Sequence, residues 1–299
     1  GDIIDSSPTY VPDNHTLIVV ANDGMLHGFD ASNGQEVFAY VPSAVYSRLA
    51  DLSDPAYDHA FFVDGEVVVS TRSQTPSQNI AVASLGRGGK ALVGLDVTTP
   101  SSFAASDVLW ELTDADLGHV VGKPFIAKVN NGDTAVIVGN GYNSADERAK
   151  LLVIDITDGS IIASIDTGAG SAADTNGLST PKGWDEDGDG TVDTVYAGDL
   201  LGNLWKFDLS ARNPSQWEPS FKQGRTYEPF FIAQDSNGNR QPITSGVAIG
   251  LNPRGGATAG QRFVLFGTGR YLTAADQSSV AVNTWYGLRD DGSQVGGRS

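Results

Sequence analysis

Four carboxylates crowd into one short segment of the chain. The segment "GWDEDGDGTVDTVYAGD" covers residues 183–199 and places Asp185, Asp187, Asp189 and Asp193 within nine positions. Their negative charges repel one another unless a partner neutralises them. Three explanations are open for such a cluster: a metal-binding loop, an acidic catalytic cluster, or a solvated surface turn.

The spacing of these carboxylates favours a calcium loop. Three alternating aspartates followed by a glycine reproduce the first half of an EF-hand loop, D-x-D-x-D-G, in which alternate side chains surround one hard cation. Thr191 stands where a backbone carbonyl usually coordinates, and Asp193 takes the ninth place. The twelfth place, usually Glu, is Tyr196, so the loop leads into a strand rather than a second helix. We predict that one Ca²⁺ is bound by Asp185, Asp187, Asp189, Thr191 and Asp193.

Other chemistry fits this segment less well. Mg²⁺ prefers fewer protein ligands and a strict octahedron, and Zn²⁺ would require His or Cys, which the loop lacks. A catalytic carboxylate pair needs a fixed separation and split pKa values, which alternating Asp on one loop does not provide. The segment "QDSNGNRQP" (234–242) alternates Asp235, Asn237 and Asn239 and is a second candidate metal loop, but with one carboxylate and an arginine it is better predicted as a turn. The segment "NNGD" (130–133) is predicted to be a hairpin turn.

The rest of the chain repeats one strand pattern that must position this loop. An apolar strand, a Gly or Asp turn and a second strand recur, and the second strand ends in Asp30, Asp96, Asp155 and Asp208 in four copies. The separations are 66, 59 and 53 residues (96−30, 155−96, 208−155). They exceed the roughly 40–50 residues of a simple propeller blade, which irregular insertions would explain. We predict an all-β, modified β-propeller of about seven blades with irregular insertions; a β-sandwich is the competing fold.

Composition narrows the class of protein. The 299 residues carry a formal net charge of −17, which repels phosphate backbones, so we expect no nucleic-acid partner. The chain has no cysteine, and no apolar run reaches membrane-spanning length. We expect residues 1–299 to be a single propeller domain excised from a longer protein, because the first residues read like the middle of a chain.

Known catalytic patterns do not appear. The four histidines are scattered and form no H-E-x-x-H pair, and no G-x-S-x-G segment is present. The five tryptophans are predicted to be packing anchors between blades, and Trp205 and Trp285 favour this most because both fall on repeat strands.

The motifs together resemble a known family. The segments "ANDGMLHGFDASNGQEVFAYVPS", "HAFFVDG", "VGNGYNS", "YAGDLLGNLWKFDL", "QPIT" and "FGTGRYL" are similar to the C-terminal domain of the type IV pilus tip-associated proteins of the PilC/PilY type. The resemblance implies a quinoprotein-like propeller with an embedded calcium loop. It also implies roles in pilus biogenesis, calcium-dependent control of extension and retraction, twitching motility and surface adhesion. The calcium ligands it implies are the five residues named above.

The resemblance also implies partners and a location. The partners would be minor pilins at the pilus tip, together with host-cell or abiotic surfaces. The location would be the pilus tip, the cell surface, or the outer membrane or periplasm of a Gram-negative bacterium. We expect no enzymatic activity. Two other functions stay open at this point: a quinoprotein-type dehydrogenase, which bound pyrroloquinoline quinone would reveal, and a carbohydrate-binding propeller without a pilus role.

Overall fold

The computed structural model describes residues 1–256 and 259–296, and β-strands account for most of the regular structure in them. The strands in chain order are β1 (Thr9–Val11), β2 (Thr16–Ala21), β3 (Met25–Asp30), β4 (Glu36–Tyr40), β5 (Val67–Val69), β6 (Ile80–Ser84), β7 (Leu92–Asp96), β8 (Val108–Leu112), β9 (Phe125–Val129), β10 (Thr134–Gly139), β11 (Arg148–Asp155), β12 (Ile161–Gly170), β13 (Lys182–Trp184), β14 (Thr191–Val192), β15 (Thr194–Gly198), β16 (Asn203–Asp208), β17 (Glu218–Pro219), β18 (Phe221–Gln223), β19 (Thr226–Glu228), β20 (Phe231–Ile232), β21 (Ala248–Leu251), β22 (Arg262–Gly267) and β23 (Trp285–Asp290). Short 3₁₀ helices span Ser43–Ser53, Gly86–Gly88, Pro100–Ser102, Ala105–Asp107, Pro214–Gln216 and Ala274–Ser278. The first of them lies between β4 and β5 and buries Val45.

Successive strands form antiparallel sheets that we call blades 1 to 5. Blade 1 is β1-β2-β3-β4, blade 2 is β5-β6-β7-β8, and blade 3 is β9-β10-β11-β12 with β14 added beside β9. Blade 4 is β13-β15-β16-β17, with β20 also paired to β16, and blade 5 is β21-β22-β23. A separate hairpin joins β18 and β19. The expectation of about seven blades is therefore not confirmed, since the described residues form five.

The first strand of each blade faces the neighbouring blades. Strand β5 contacts β1 and β9, and β13 contacts β21. Because strands alternate in direction within a blade, the turns joining first to second and third to fourth strands lie on one face. The turns joining second to third strands, and the connections between blades, lie on the opposite face. We call these the turn face and the connection face; the carboxylate loop, between β13 and β15, belongs to the turn face.

The repeated aspartates close the same turn in each blade. Asp30, Asp96, Asp155 and Asp208 each end the third strand and accept a hydrogen bond from the backbone N–H two residues later, at 2.7–2.9 Å. This local bond stabilises the turn toward the next strand. Blade 5 has the same turn-stabilising hydrogen bond at Asp290, whose Oδ1 accepts from the N–H of Gly292 at 2.9 Å. The equivalence predicted for four aspartates is confirmed, and a fifth joins them.

The core lies within and between the blades, where alternate strand residues are apolar. Four clusters of buried side chains follow one another along the chain, and Trp110, Trp205 and Trp217 are buried in them. The packing role predicted for Trp285 is wrong, since its side chain is 79% exposed. Strand β23 buries Tyr286, Leu288 and Asp290, so Trp285 points to the other side of an edge strand that no fourth strand covers in the described residues.

The described residues contain no helix that is both long enough and apolar enough to cross a membrane.

Candidate metal centre

The carboxylate loop is anchored at both ends by backbone pairing. The N–H of Asp193 donates to the carbonyl of Trp184 at 3.1 Å and closes the base of the loop. Strand β14, at the end of the loop, pairs in parallel with β9 of blade 3. The loop is therefore an insertion of blade 4 that is attached to blade 3, and its position is defined by two blades.

Asp185 organises the turn of the loop. Its Oδ1 accepts from the N–H of Gly188 at 2.7 Å, and its Oδ2 accepts from the N–H of Gly190 at 2.8 Å. Both glycines have positive φ, 80° and 91°, a conformation that residues with a Cβ rarely adopt. The sharp bend expected at Gly190 is thus present, and it turns the chain back toward Asp185.

The fold brings together three of the four predicted carboxylates. Oxygen atoms of Asp185, Asp187 and Asp193 lie within 4.8 Å of one another, and this is the one group of three or more potential metal-binding side chains found in the described residues. Asp189 lies outside the group. Its Oδ1 accepts from the backbone N–H and the hydroxyl of Thr191, at 2.7 and 2.6 Å, and these bonds lower the pKa of Asp189.

The donor set suits a hard divalent cation. All three grouped side chains offer carboxylate oxygens, and the loop contains neither nitrogen nor sulfur ligands. Ca²⁺ takes six to eight oxygens in flexible geometry, so three side chains would leave room for further oxygens from the loop. Asp187 is exposed and Asp185 is partly exposed, which leaves the group accessible to an ion from solvent.

Asn130 of blade 3 supports the loop from beside it. Its side-chain amide donates to Asp193 Oδ1 at 2.9 Å and to the carbonyl of Leu209 at 3.1 Å. It also lies 3.3 Å from the carbonyl of Val192. The turn predicted for 130–133 is confirmed by the bond from Gly132 N–H to the carbonyl of Val129. Within that turn, one side chain orients the last carboxylate of the loop.

Replacing Asn130 is expected to weaken calcium binding without removing a ligand. In the Asn130→Ala variant, the Asp193 carboxylate loses one of the two donors that orient it, and losing a partner of this kind typically costs about 10–100-fold in metal affinity. Calcium titration of the purified chain measures the change. The matched control is Asn131→Ala, because Asn131 lies next to it and its side chain bonds Asp133 within the exposed turn. Equal affinity in both variants would show that Asn130 has no positioning role.

The loop is also connected to blade 5 by a charge network whose centre is buried. Glu186, between two of the clustered aspartates, accepts hydrogen bonds from Thr194 at 2.9 Å and from Arg262. Arg262 donates on to Asp290 Oδ2 at 2.7 Å. Lys206 donates to the same oxygen at 2.7 Å, and the Tyr196 hydroxyl donates to it as well.

This network has an anion at its centre. The Asp290 side chain is fully buried, and those of Lys206 and Arg262 are about nine-tenths buried. Burial raises the pKa of Asp290, but the hydrogen bonds from Lys206 and Tyr196 outweigh it and lower the pKa to about 2. The Arg262 guanidinium also lies 5.7 Å from the ring centre of Trp184, at the entry to the loop. Blades 4 and 5 are thus joined by charges that reach the carboxylate loop through Glu186.

Sequence patterns did not reveal Asn130, Glu186 or the Asp290 network. Asn130 is one of two asparagines in a common turn motif, and Glu186 occupies a loop position that usually faces solvent. The available signal was Asp290, which occupies the repeat position of Asp30 and Asp208 in the last strand pair. The turn predicted at 234–242 is confirmed, because Asp235 accepts from the N–H groups of Asn237 and Asn239.

Comparisons with known proteins identify the family. The family model described as "PilY1 beta-propeller domain" matches residues 4–298. A type IV pilus biogenesis factor PilY1 homolog of Xylella fastidiosa is 42% identical over 292 residues, covering 93% of this chain and 19% of that protein. Type IV pilus biogenesis factor PilY1 of Pseudomonas aeruginosa is 39% identical over 295 residues, covering 92% of this chain and 25% of that protein.

A solved structure agrees with these sequence matches. The crystal structure of the Pseudomonas aeruginosa PilY1 C-terminal domain superposes with a TM-score of 0.76 and 36% identity, covering 93% of this chain and 58% of the other. The chain thus spans about a fifth to a quarter of the length of the curated relatives. The β-propeller and the resemblance seen in the sequence motifs are both confirmed. The chain belongs to the PilY1 β-propeller domain family, found in type IV pilus biogenesis factors.

Proposed function

We propose that this chain is the calcium-binding C-terminal domain of a type IV pilus biogenesis factor and tip adhesin. In this role it controls pilus extension and retraction, twitching motility and surface attachment. The observation that carries the proposal is the meeting of the Asp185, Asp187 and Asp193 carboxylates in a loop of the turn face. The names of the relatives, which designate type IV pilus biogenesis factors, support the pilus context.

The full ligand set remains the one proposed from the sequence. The three grouped carboxylates supply charge, and Asp189 and the carbonyl of Thr191 complete the oxygen set. A bound Ca²⁺ would neutralise charges that otherwise repel one another. Without the ion, the loop is held by hydrogen bonds to the carboxylates of Asp185 and Asp193 and by the pairing of β14 with β9.

Calcium occupancy can act as a switch because the loop borders three blades. Strand β14 pairs with blade 3, the loop belongs to blade 4, and Glu186 bonds Arg262 of blade 5. A cation that binds one arrangement of the loop more tightly shifts the population toward it. A minor pilin at the pilus tip would then bind the ordered and the released turn face with different affinity. This mechanism assigns the domain a regulatory role and no catalytic one.

The proposal includes where the protein acts. As a pilus factor it would be exported, and it would act at the pilus tip, the cell surface, or the outer membrane or periplasm of a Gram-negative cell. Host-cell or abiotic surfaces are the proposed attachment targets. Minor pilins are the proposed protein partners.

Cells test this function directly. A strain whose full-length protein carries Asp193→Ala is expected to show altered surface piliation and twitching, because the loop loses a carboxylate that contacts both Asn130 and the Glu186 backbone. The matched control is Asp235→Ala, which removes a carboxylate from another exposed polar turn outside the cluster. Immunoblots of the exported protein confirm equal amounts. If piliation, motility and attachment all match the parent strain, the calcium loop has no regulatory role.

A further inference from the structure

The connection face, which is opposite to the turn face that contains the metal loop, contains a cavity. Its volume is about 460 Å³, within the range of small-molecule sites. It is lined by second-to-third-strand turns of blades 2 to 5 and by the connections before blades 2, 3 and 4. Several blades therefore build one concave site, and none of them forms it alone.

The charge of this lining is opposite to that of the whole chain. The chain carries a formal net charge of −17, yet the cavity lining contains Arg87, Arg270 and His119 and no carboxylate. Apolar groups form much of the remaining wall, including the rings of Phe61 and Tyr142. A cavity with guanidinium groups and aromatic surface in an acidic protein is suited to a ligand that has a negative group and a ring.

Each arginine is held in place with donors to spare. Arg270 Nε donates to Oδ1 of Asp276 at 2.8 Å and its Nη2 lies 2.7 Å from the same oxygen, so its other amino group is not used by that carboxylate. Arg87 stacks over Phe61, with 5.1 Å between its guanidinium carbon and the ring centre. Its Nε lies 3.6 Å from Asp5 and its Nη2 donates to the carbonyl of Tyr271 at 3.4 Å, so Nη1 is the amino group with no hydrogen bond among the described residues. Arginine suits carboxylate recognition because its planar donors can bind both oxygens.

His119 and Tyr142 add polar groups to the same wall. His119 Nδ1 lies 3.1 Å from the carbonyl oxygen of Gly86, which can only accept, so Nδ1 carries a proton and Nε2 of the neutral imidazole can accept from a ligand hydroxyl. Tyr142 pairs with His119 through backbone bonds in both directions, at 2.7 and 3.1 Å. The two side chains are thereby fixed beside each other at the cavity.

We propose that this cavity is a binding site for a small carboxylate carried on a six-membered ring. The arginines would bind the carboxylate, the aromatic wall would cover the ring, and His119 would accept from a ring hydroxyl. Two sources share this chemistry, an acidic sugar such as a uronic acid and an aromatic acid. This site is separate from the calcium loop and does not depend on the proposed pilus function.

Ligand titrations of the full chain test the site. D-glucuronate and benzoate are the two probes, and D-glucose and acetate are controls that lack the carboxylate or the ring. Binding is followed by calorimetry and by ligand-observed NMR, with and without EGTA. We expect saturable binding of one or both probes that is unaffected by EGTA. Binding of glucuronate alone identifies an acidic sugar, and binding of benzoate alone identifies an aromatic acid.

Substitutions then locate the site. Arg87→Gln and Arg270→Gln are each expected to weaken binding about tenfold or more, the usual scale for losing a charge-assisted hydrogen bond. Arg289→Gln is the matched control, since Arg289 is 46% exposed, compared with 48% for Arg270, and also pairs with an aspartate. Circular dichroism confirms that each variant is folded, and Arg87 provides an independent test if Arg270→Gln is not. The proposal is overturned if neither probe binds, if glucose binds as well as glucuronate, or if folded Arg87→Gln binds like the parent.

Discussion

The Asp290→Ala variant is expected to lose about 3–5 kcal/mol of unfolding free energy, the usual effect of removing one partner of a buried ion pair. Asp290 is fully buried and accepts from Tyr196, Lys206 and Arg262. Without it, two cations that are about nine-tenths buried lie close together with less compensation. The turn after β23 also loses the hydrogen bond that Gly292 N–H donates to Asp290 Oδ1. Urea unfolding of the purified domain measures the loss.

The neighbouring aspartate provides the control for this prediction. Asp291 is exposed and pairs with Arg289 at the surface, so Asp291→Ala is expected to change the unfolding free energy by no more than about 0.5 kcal/mol. The pH dependence gives a second readout. Asp290 has a folded-state pKa of about 2, below its unfolded value, so its stabilisation is present above about pH 4 and is lost as the pH falls toward 2. If both variants unfold at the same urea concentration, blades 4 and 5 do not depend on this network.

Calcium is expected to stabilise the domain without being required for its fold. The loop is exposed and its base is closed by backbone bonds, so the blades can form while the carboxylates are free. A ligand that binds only the folded state adds about 2.7 kcal/mol at a free concentration one hundred times its Kd. Thermal unfolding in Ca²⁺ and in EGTA measures this difference.

The Asp187→Ala variant is the control for calcium stabilisation. Asp187 is exposed and belongs to the carboxylate group, so its removal should abolish the shift between Ca²⁺ and EGTA while leaving the EGTA curve nearly unchanged. Complete unfolding of the parent chain in EGTA would instead make the ion an essential part of the core.

The repeated architecture could be predicted from the sequence because each repeat depends on residues that lie close together in the chain. Alternating apolar residues define each strand, and an aspartate at the end of the third strand stabilises a turn through a bond to the second residue after it. Such bonds depend on neighbours in the sequence, so the sequence pattern is enough to show that Asp30, Asp96, Asp155 and Asp208 are equivalent. The number of blades could not be obtained in the same way, since the division of 299 residues by an average blade length ignores insertions such as 42–62.

The candidate site could be predicted from the sequence for a related reason, but only in part. Alternating aspartates along nine residues specify which oxygens can approach one another, and three of the four do. The bond between Asp189 and Thr191 is an equally local alternative that the calcium motif alone does not distinguish. Asn130 and Arg262 reach the loop from 63 and 76 residues away, to Asp193 and Glu186 respectively. Contacts over such distances depend on how blades pack, and no pattern within the loop encodes them.

Calcium titration by calorimetry on the parent chain and on Asp185→Ala tests the central claim most directly. Asp185 is the choice because it belongs to the carboxylate group and also accepts the N–H bonds of Gly188 and Gly190 that shape the loop. The account predicts one Ca²⁺ per parent chain and no measurable binding to folded Asp185→Ala. Absence of calcium binding by the parent chain at millimolar concentrations, or an equal affinity in the variant, would contradict it.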